Sequence, residues 1–226
     1  MKHKAAAVVC AAAFVAAAGA GVEAFPLGFS VGGGTGWGYY SMSELNAHIG
    51  LVAQDNALTI DELGDGVNFR VEGRIWYRRA VALACGYEHY WGETDAVESS
   101  SSLSYHAPAD VLTIGIVAAV LQIPNAIDIC VGVNRCWADA VYGTNELTGR
   151  RLTEYKGEDA GYEAYAEVHT NFINPIEMGL QLGYRGLRIE SLYDKFGDPG
   201  LFDAGSPIEI DYSGVFLYLM AAIRIN

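Results

Sequence analysis

Apolar and polar residues alternate with a period of two along most of the chain after residue 25. This period places successive side chains on opposite faces of a β-strand. The segment NFRVEGRIWYRRAVALACGYEHYW, residues 68–91, shows it most clearly: Arg70, Glu72, Arg74 and Glu88 fall on one face, between apolar residues of the other. The chain is therefore expected to be mostly β-sheet.

Turn chemistry divides the alternating pattern into eight candidate strands. They cover residues 29–40, 67–77, 81–92, 110–122, 127–142, 160–172, 176–190 and 208–225. Short connections at 78–80, 123–126 and 173–175 alternate with long polar ones at 41–66, 93–109, 143–159 and 191–207. The rhythm predicts an all-β fold, an antiparallel up-and-down barrel of eight strands. A short helix is expected over 43–56, with Ser43 as N-cap and Leu45, Ile49 and Val52 on one face.

The tight turns also predict the register, because residues paired across a hairpin share a face. Pairing Tyr77 with Val81 places Arg70 opposite Glu88. Pairing Phe172 with Ile176 sets further pairs of the third hairpin, Val168 with Leu180, Ala166 with Leu182 and Glu163 with Arg185. In the middle hairpin, Leu112, Ile114, Ile116 and Val120 share a face with Ile127, Ile129, Val131 and Val133.

Alternation alone does not say which face is inside. A secreted soluble barrel of the lipocalin type would bury the apolar face, and a transmembrane barrel would turn it to lipid. Residues 111–121 and 214–225 are too apolar for strands half exposed to water, and the opposite face is rich in Gly and Ala, as suits a crowded interior. The sequence therefore favours a transmembrane barrel.

Aromatic residues are expected to form two belts at the membrane interfaces, where amphipathic rings are stable. The candidates are Trp37, Tyr39, Tyr77, Tyr87, Trp91, Trp137, Tyr142, Tyr162, Phe172 and Tyr184. With GWGYY at 36–40 and FLYLMAAIRI at 216–225 as end strands, the chain resembles small eight-stranded bacterial outer-membrane β-barrels of the OmpA/OmpX or OmpW kind. The resemblance implies short periplasmic turns, long extracellular loops and a place in the outer membrane.

The first residues fit this location. Lys2 and Lys4, the apolar stretch 5–18 and a small-residue site before Phe25 predict a cleaved signal peptide at 1–24, followed by one barrel domain at 25–226. The chain has 14 Lys+Arg against 27 Asp+Glu, which disfavours nucleic-acid binding. The expected partners are the lipid bilayer and an extracellular ligand or surface partner of the acidic loops, with the barrel itself a monomer. Cys85, Cys130 and Cys136 are interpreted as small buried or lipid-facing thiols.

The polar face defines the candidate site. The expected lumen network comprises Arg70, Glu72, Arg74, Glu88, Glu163, Glu167, His169, Gln181, Arg185 and Arg224. A mutual network stabilises charges in a narrow lumen, so it either plugs the barrel or lines an OmpW-like narrow path for small, hydrophobic molecules. No catalytic group, metal site or cofactor is predicted. A lipid-modifying enzyme, with His169 and Thr170 as its groups, is the weaker alternative.

Overall fold

The computed structural model describes residues 27–55, 59–97, 102–124, 126–146, 151–173, 175–202 and 205–225. The expected signal segment lies outside these residues. Eight antiparallel strands form a closed barrel in which each pairs with its neighbours along the chain and the last pairs with the first. They are β1 (Leu27–Tyr40), β2 (Asp65–Tyr77), β3 (Val81–Tyr90), β4 (Ala109–Ile123), β5 (Ile127–Glu146), β6 (Arg151–Ile173), β7 (Ile176–Gly186) and β8 (Gly214–Ile225). The predicted up-and-down topology is confirmed.

The outer wall of the barrel is apolar. Branched aliphatic side chains from every part of the wall are more than half exposed, among them Val31, Leu83, Ile116, Val133, Leu180 and Leu219. The charged face of the same strands is turned inward and buried. Because a soluble barrel would bury the aliphatic residues, the soluble alternative is wrong and the wall is suited to lipid.

The first hairpin has the predicted register. Tyr77 pairs with Val81, and Arg70 lies opposite Glu88. In the middle hairpin, Leu112, Ile114 and Ile116 share a face with Val131 and Val133 as predicted. A β-bulge between Ala119 and Leu121 places Leu121 and Ile123, and not the predicted Val120, opposite Ile129 and Ile127.

The third hairpin keeps the predicted pair of Glu163 and Arg185 but departs from prediction at its turn. Ile176 pairs with Ile173, so the predicted pair of Phe172 with Ile176 is wrong. A register shift between Ile176 and Met178 absorbs the difference, and the strands above it return to the expected pairing.

The long connections are more structured than the sequence predicted. The expected helix is present as α1 (Ser43–Asp55), but the backbone N–H of Asn46 donates to the Met42 carbonyl, 2.9 Å away. Met42 therefore occupies the N-cap position expected for Ser43. Leu45 and Ile49 are buried as expected, while the side chain of Val52 lies outside the described residues. No helix among the described residues is long and apolar enough to cross a membrane.

We call the end of the barrel that carries the long connections the loop end. Short strands extend the wall beyond the barrel there. Thr59–Ile60, Glu93–Val97 and Ser102–His106 continue the sheet beside β5. Two further segments, Arg188–Ile189 and Ile210–Asp211, pair with each other before β8 begins. The strand expected over 208–225 is therefore interrupted before Gly214.

The predicted loop at 143–159 is wrong over most of its length, because β5 and β6 continue through it as a paired hairpin. Tyr142 pairs with Tyr155, and Thr144 with Thr153. Aromatic cross-strand pairs such as Tyr142 with Tyr155 stabilise a ladder, and they help to explain strands much longer than a membrane needs.

The loop end is filled by an apolar cluster that we call the tyrosine cap: Tyr40, Tyr90 and Tyr212 with Leu45 and Ile49 of α1. The rings of Tyr40 and Tyr90 meet edge to face, with centroids 5.0 Å apart, and Tyr212 lies 5.5 Å from Tyr90. The Tyr212 hydroxyl donates to the Ala107 carbonyl at 2.8 Å. Burial raises the pKa of the Tyr212 phenol well above its usual value, so this hydroxyl keeps its proton.

Tyr142 belongs to the same buried cluster, so its predicted place in the aromatic belt is wrong. It lies five residues from Trp137, and residues an odd number apart on a strand point to opposite faces. The structure places Trp37, Tyr39, Tyr77, Trp91, Tyr162 and Tyr184 on the exposed outer wall, with Tyr87 and Trp137 there but partly buried. The side chain of Phe172 lies outside the described residues.

Candidate functional site: a charged core in the barrel

The structure places all ten residues of the expected lumen network on the inner face of the barrel. Each is less than a tenth exposed, and Arg70, Glu88 and Gln181 are completely buried. Alternation in β2, β3, β6, β7 and β8 sends these side chains inward because their neighbours are the apolar residues of the outer wall.

Four side chains form a closed ring of ion pairs at the middle of the core. Arg70 contacts Glu163 at 2.7 Å and Glu88 at 3.7 Å. Arg185 contacts Glu163 at 2.8 Å and binds both carboxylate oxygens of Glu88. Each arginine thus lies between the same two carboxylates, so removal of any member leaves two partners incompletely neutralised. We call these four residues the central ring.

Asn134 and Asn68 complete the hydrogen bonding of the two ring carboxylates. The Asn134 amide donates to Glu163 at 2.7 Å, and the Asn68 amide donates to Glu88 at 3.2 Å and to the Tyr40 hydroxyl at 2.7 Å. Through Asn68 the central ring is therefore joined to the tyrosine cap.

A second chain of ion pairs runs from the ring toward the short turns. Glu72 accepts from Arg70 at 2.9 Å and is also paired with Arg74. Two nitrogens of Arg74 donate to the Glu167 carboxylate, one of them at 2.6 Å. His169 lies 3.0 Å from the same carboxylate. Glu72 therefore connects both parts of the network.

The turn-side mouth of the lumen holds a separate group around Arg224. Its guanidinium lies 3.1 Å from Asp128 and 3.0 Å from Glu177, and it stacks over the Trp76 ring at 4.8 Å. The Trp76 N–H donates to the Ser30 hydroxyl at 3.0 Å. This end of the barrel is thus occupied by side chains as well.

The bridges join strands on opposite sides of the barrel. Both Arg70–Glu163 and Arg74–Glu167 connect β2 to β6, and Arg185–Glu88 connects β7 to β3. In an eight-stranded barrel these strands are four apart, so each bridge spans the lumen. Aromatic rings lie beside the bridges, with the Arg70 guanidinium 5.7 Å from the centroid of Tyr165 and 5.8 Å from that of Tyr218.

Glycines of β1 make room for the large side chains. Gly34 pairs with Arg70 on one side and Met220 on the other, and Gly36 pairs with Asn68 and Tyr218. A Cβ atom on Gly34 would come within 2.2 Å of the Leu219 carbonyl oxygen and 2.5 Å of the Met220 sulfur. The packed lumen therefore requires residues without a side chain at Gly34 and Gly36 of β1.

Several buried polar atoms have no partner within the described protein. They include both amide atoms of Gln181, the hydroxyls of Tyr165 and Tyr218, and Nε of Arg70. Buried polar groups normally find a partner, and ordered water supplies it where protein does not. The lumen is therefore polar enough to hold isolated waters between its side chains.

Sequence reasoning left Asp128, Glu177 and the rings of Tyr165 and Tyr218 out of the network. The signal was available in principle for three of them, which share strand parity with a member of the network: Glu177 with Gln181, Tyr165 with Glu167 and Tyr218 with Arg224. Asp128 lies on β5, which holds no predicted member of the network. Among the described residues, no group of His, Cys, Asp and Glu has the arrangement of a metal site.

His169 and Thr170 do not form a common site. His169 faces the lumen, where its Nε2 contacts the Glu167 carboxylate. The Thr170 hydroxyl donates to the Met178 carbonyl at 3.2 Å. As adjacent residues of one strand they point to opposite faces. The pairing on which the lipid-hydrolase alternative depended is absent.

No protein-family model matches the chain, and no curated protein is matched by its sequence. Solved structures do match. The outer-membrane protein OprG from Pseudomonas aeruginosa is 7% identical with a TM-score of 0.53, the match covering 89% of this chain and 97% of OprG. A major outer-membrane protein from Thermus thermophilus is 12% identical with a TM-score of 0.51, covering 88% and 99%.

Ail, the attachment invasion locus protein of Yersinia pestis, also matches, at 11% identity and a TM-score of 0.48 over 88% of this chain and 99% of Ail. At such identities the likeness to OprG and the Thermus protein concerns the fold. The chain thus has the fold of the small eight-stranded outer-membrane β-barrels, as the resemblance implied.

Proposed function

We propose that this chain is an exported, monomeric outer-membrane protein with a closed lumen, and that its long acidic loops form a surface for interaction outside the cell. The closed lumen rests on one observation above all: three ion-paired bridges join opposite strands across the barrel. The tyrosine cap adds a second closure at the loop end. A structural or surface-interaction role needs no path through the barrel, and this packing supports it.

The membrane location is supported by the apolar outer wall and by the fold shared with OprG and the Thermus protein. Export is supported by the sequence of residues 1–24. Acidic residues predominate on the long connections, with Glu93, Glu158, Asp194 and Asp198 on described segments. A partner with a basic surface is the chemistry that complements them.

Recording in planar bilayers tests the closed lumen. We expect the wild-type protein to show no reproducible single-channel openings, while protease resistance of the barrel in matching liposomes verifies insertion. Openings whose size changes in Arg70→Ala or Glu88→Ala would contradict the closed lumen, because those residues belong to the central ring.

A narrow conduit is the second candidate, and the unpartnered atoms of Gln181, Tyr165 and Tyr218 favour it. A hydrated path through the core would follow these groups. The same recordings separate the two candidates, since a conduit requires openings or solute flux in the wild type. Catalysis is not part of the proposal, because His169 is turned away from lipid.

A further inference from the structure

The first short turn, between β2 and β3, contains two consecutive arginines in an unfavourable backbone conformation. Arg78 and Arg79 have φ values of 51° and 57°. The N–H of Ala80 donates to the Tyr77 carbonyl at 3.0 Å, which makes these two the central residues of a tight turn. Turns with positive φ at both central positions favour Asn-Gly, so a pair of arginines is costly here on conformational grounds.

The neighbouring hairpin holds the turn in place. The Gln122 side chain donates to the Arg79 carbonyl at 2.8 Å, and the Ala119 N–H donates to the Ala80 carbonyl at 2.8 Å. The backbone of the turn is thus fixed while both arginine side chains are exposed. A fixed backbone presents the two guanidinium groups from a defined position at the barrel rim.

The height of the turn relative to lipid follows from Tyr77. Its ring is half exposed on the outer wall, where an amphipathic ring is stable at the headgroup level. The Arg78 guanidinium lies over this ring, 5.3 Å from its centroid. Arg78 therefore lies where lipid phosphates are found.

Among the described residues at this rim, the exposed charges are those of Arg78 and Arg79. The other short turns, IPNA at 123–126 and INP at 173–175, contain no charged residue. The nearby Asp128, Glu177 and Arg224 are buried in the turn-side mouth and neutralise one another. The exposed positive charge of the two arginines therefore attracts an anion to this turn.

The geometry points to the Arg78–Arg79 turn as a binding site for the phosphate of an anionic phospholipid in the leaflet at the short-turn end. Guanidinium groups suit phosphate because their fork of N–H donors matches its oxygens. The inference rests on the proposed function in one respect, that the barrel spans a membrane.

Spin-labelled lipids test it in liposomes of phosphatidylcholine containing the full chain. Electron paramagnetic resonance compares the association of labelled phosphatidylglycerol and labelled phosphatidylcholine with the barrel. We expect phosphatidylglycerol to be preferred, by about fivefold for each arginine that contributes, and the preference to fall at high salt.

The decisive variant is R78N/R79G, which removes both charges and gives the turn its preferred residues. It is expected to fold as well as the wild type and to lose the preference for phosphatidylglycerol. R78K/R79K, with the charge kept, should retain part of it. R188Q, which removes a cation at the loop end, serves as the control and should leave the preference unchanged.

Each other result overturns a distinct part of the inference. An unchanged preference in R78N/R79G would remove the site from this turn, and absence of any preference in the inserted wild type would end the proposal while leaving the barrel intact. Equal displacement by inorganic phosphate would show a general anion site. Failure to insert into liposomes at all would contradict the proposed membrane location instead.

Discussion

At the residue scale, the core depends on arginines shared between carboxylates. Arg185 serves both Glu88 and Glu163, so truncating it leaves two buried carboxylates with one guanidinium. Breaking a buried ion pair typically costs about 3–5 kcal/mol, because a charge remains without compensation. We expect Arg185→Ala to lower the free energy of unfolding by that amount in urea titrations of the micelle-bound protein.

Arg188 offers a matched control three residues away. It also pairs with a carboxylate, Glu209, but its side chain is about half exposed. Exposed ion pairs contribute little to stability, because water and salt screen them. Arg188→Ala should therefore change the same titration little, and equal losses in both variants would contradict the special role of the central ring.

Gly34 makes a second prediction at this scale. A methyl group there would meet backbone as well as Met220, so the strands must shift to admit it. Overpacking of this kind costs about 1–3 kcal/mol, and Gly34→Ala should be destabilising by that amount in thermal unfolding. Gly50 of α1 has open space around it, and Gly50→Ala should be neutral or stabilising, since Ala favours helix.

At the element scale, the tyrosine cap separates a stable barrel from the connections above it. The Tyr212 hydroxyl donates a buried hydrogen bond to the Ala107 carbonyl, which joins the cap to the connection between β3 and β4. Loss of one such bond costs about 1 kcal/mol. We expect Tyr212→Phe to increase cleavage of the long connections by added protease about fivefold, with the barrel itself remaining resistant.

The cap should also weaken in alkali. Because the folded pKa of Tyr212 is raised, its contribution to stability is complete below the unfolded pKa of about 10 and is lost as the pH rises above it. Protease cleavage of the connections in the wild type should therefore rise between pH 9 and pH 11, values set on either side of that pKa of about 10. In Tyr212→Phe the rise should be smaller; a rise of equal size would assign it to other groups.

The strands were predictable from sequence where one face is apolar. In the connections, the helix over 43–56 was predicted, but the paired segments were not. Arg70 and Glu88 were placed opposite each other because alternation and a tight turn fix the register together. The hairpin beyond Tyr142 was not predicted because it extends past the lipid-facing wall. Strands there carry no apolar face, so their sequence resembles that of a loop. Likewise, the ion pair between Arg185 and Glu88 forms only when the barrel closes, and the local alternation of residues does not show which distant strands then face each other.

At the scale of the whole molecule, the apolar wall determines where the barrel is stable. Leu180 lies well inside this wall and Tyr39 at its loop-side edge. An arginine on the lipid face costs about 2–4 kcal/mol near the bilayer midplane and about 0–1 near the interface. Leu180→Arg should lower the free energy of folding into liposomes by the larger amount, and Tyr39→Arg should be tolerated. Equal effects of the two substitutions would contradict the positions of Leu180 and Tyr39 relative to the bilayer.

The bridges between opposite strands also constrain how the protein is assembled. Arg70, Arg74 and Arg185 find their main partners on strands four positions away, so an open sheet holds these charges apart. A partly formed sheet keeps Glu72 beside Arg70 and Arg74, and Glu163 beside Arg185. It still lacks the carboxylate that each arginine meets across the lumen, so the network of buried charges is incomplete until the barrel closes. Curling of the sheet, expulsion of water and completion of the ion-pair network therefore occur together, which favours an all-or-none final step and disfavours half-inserted intermediates.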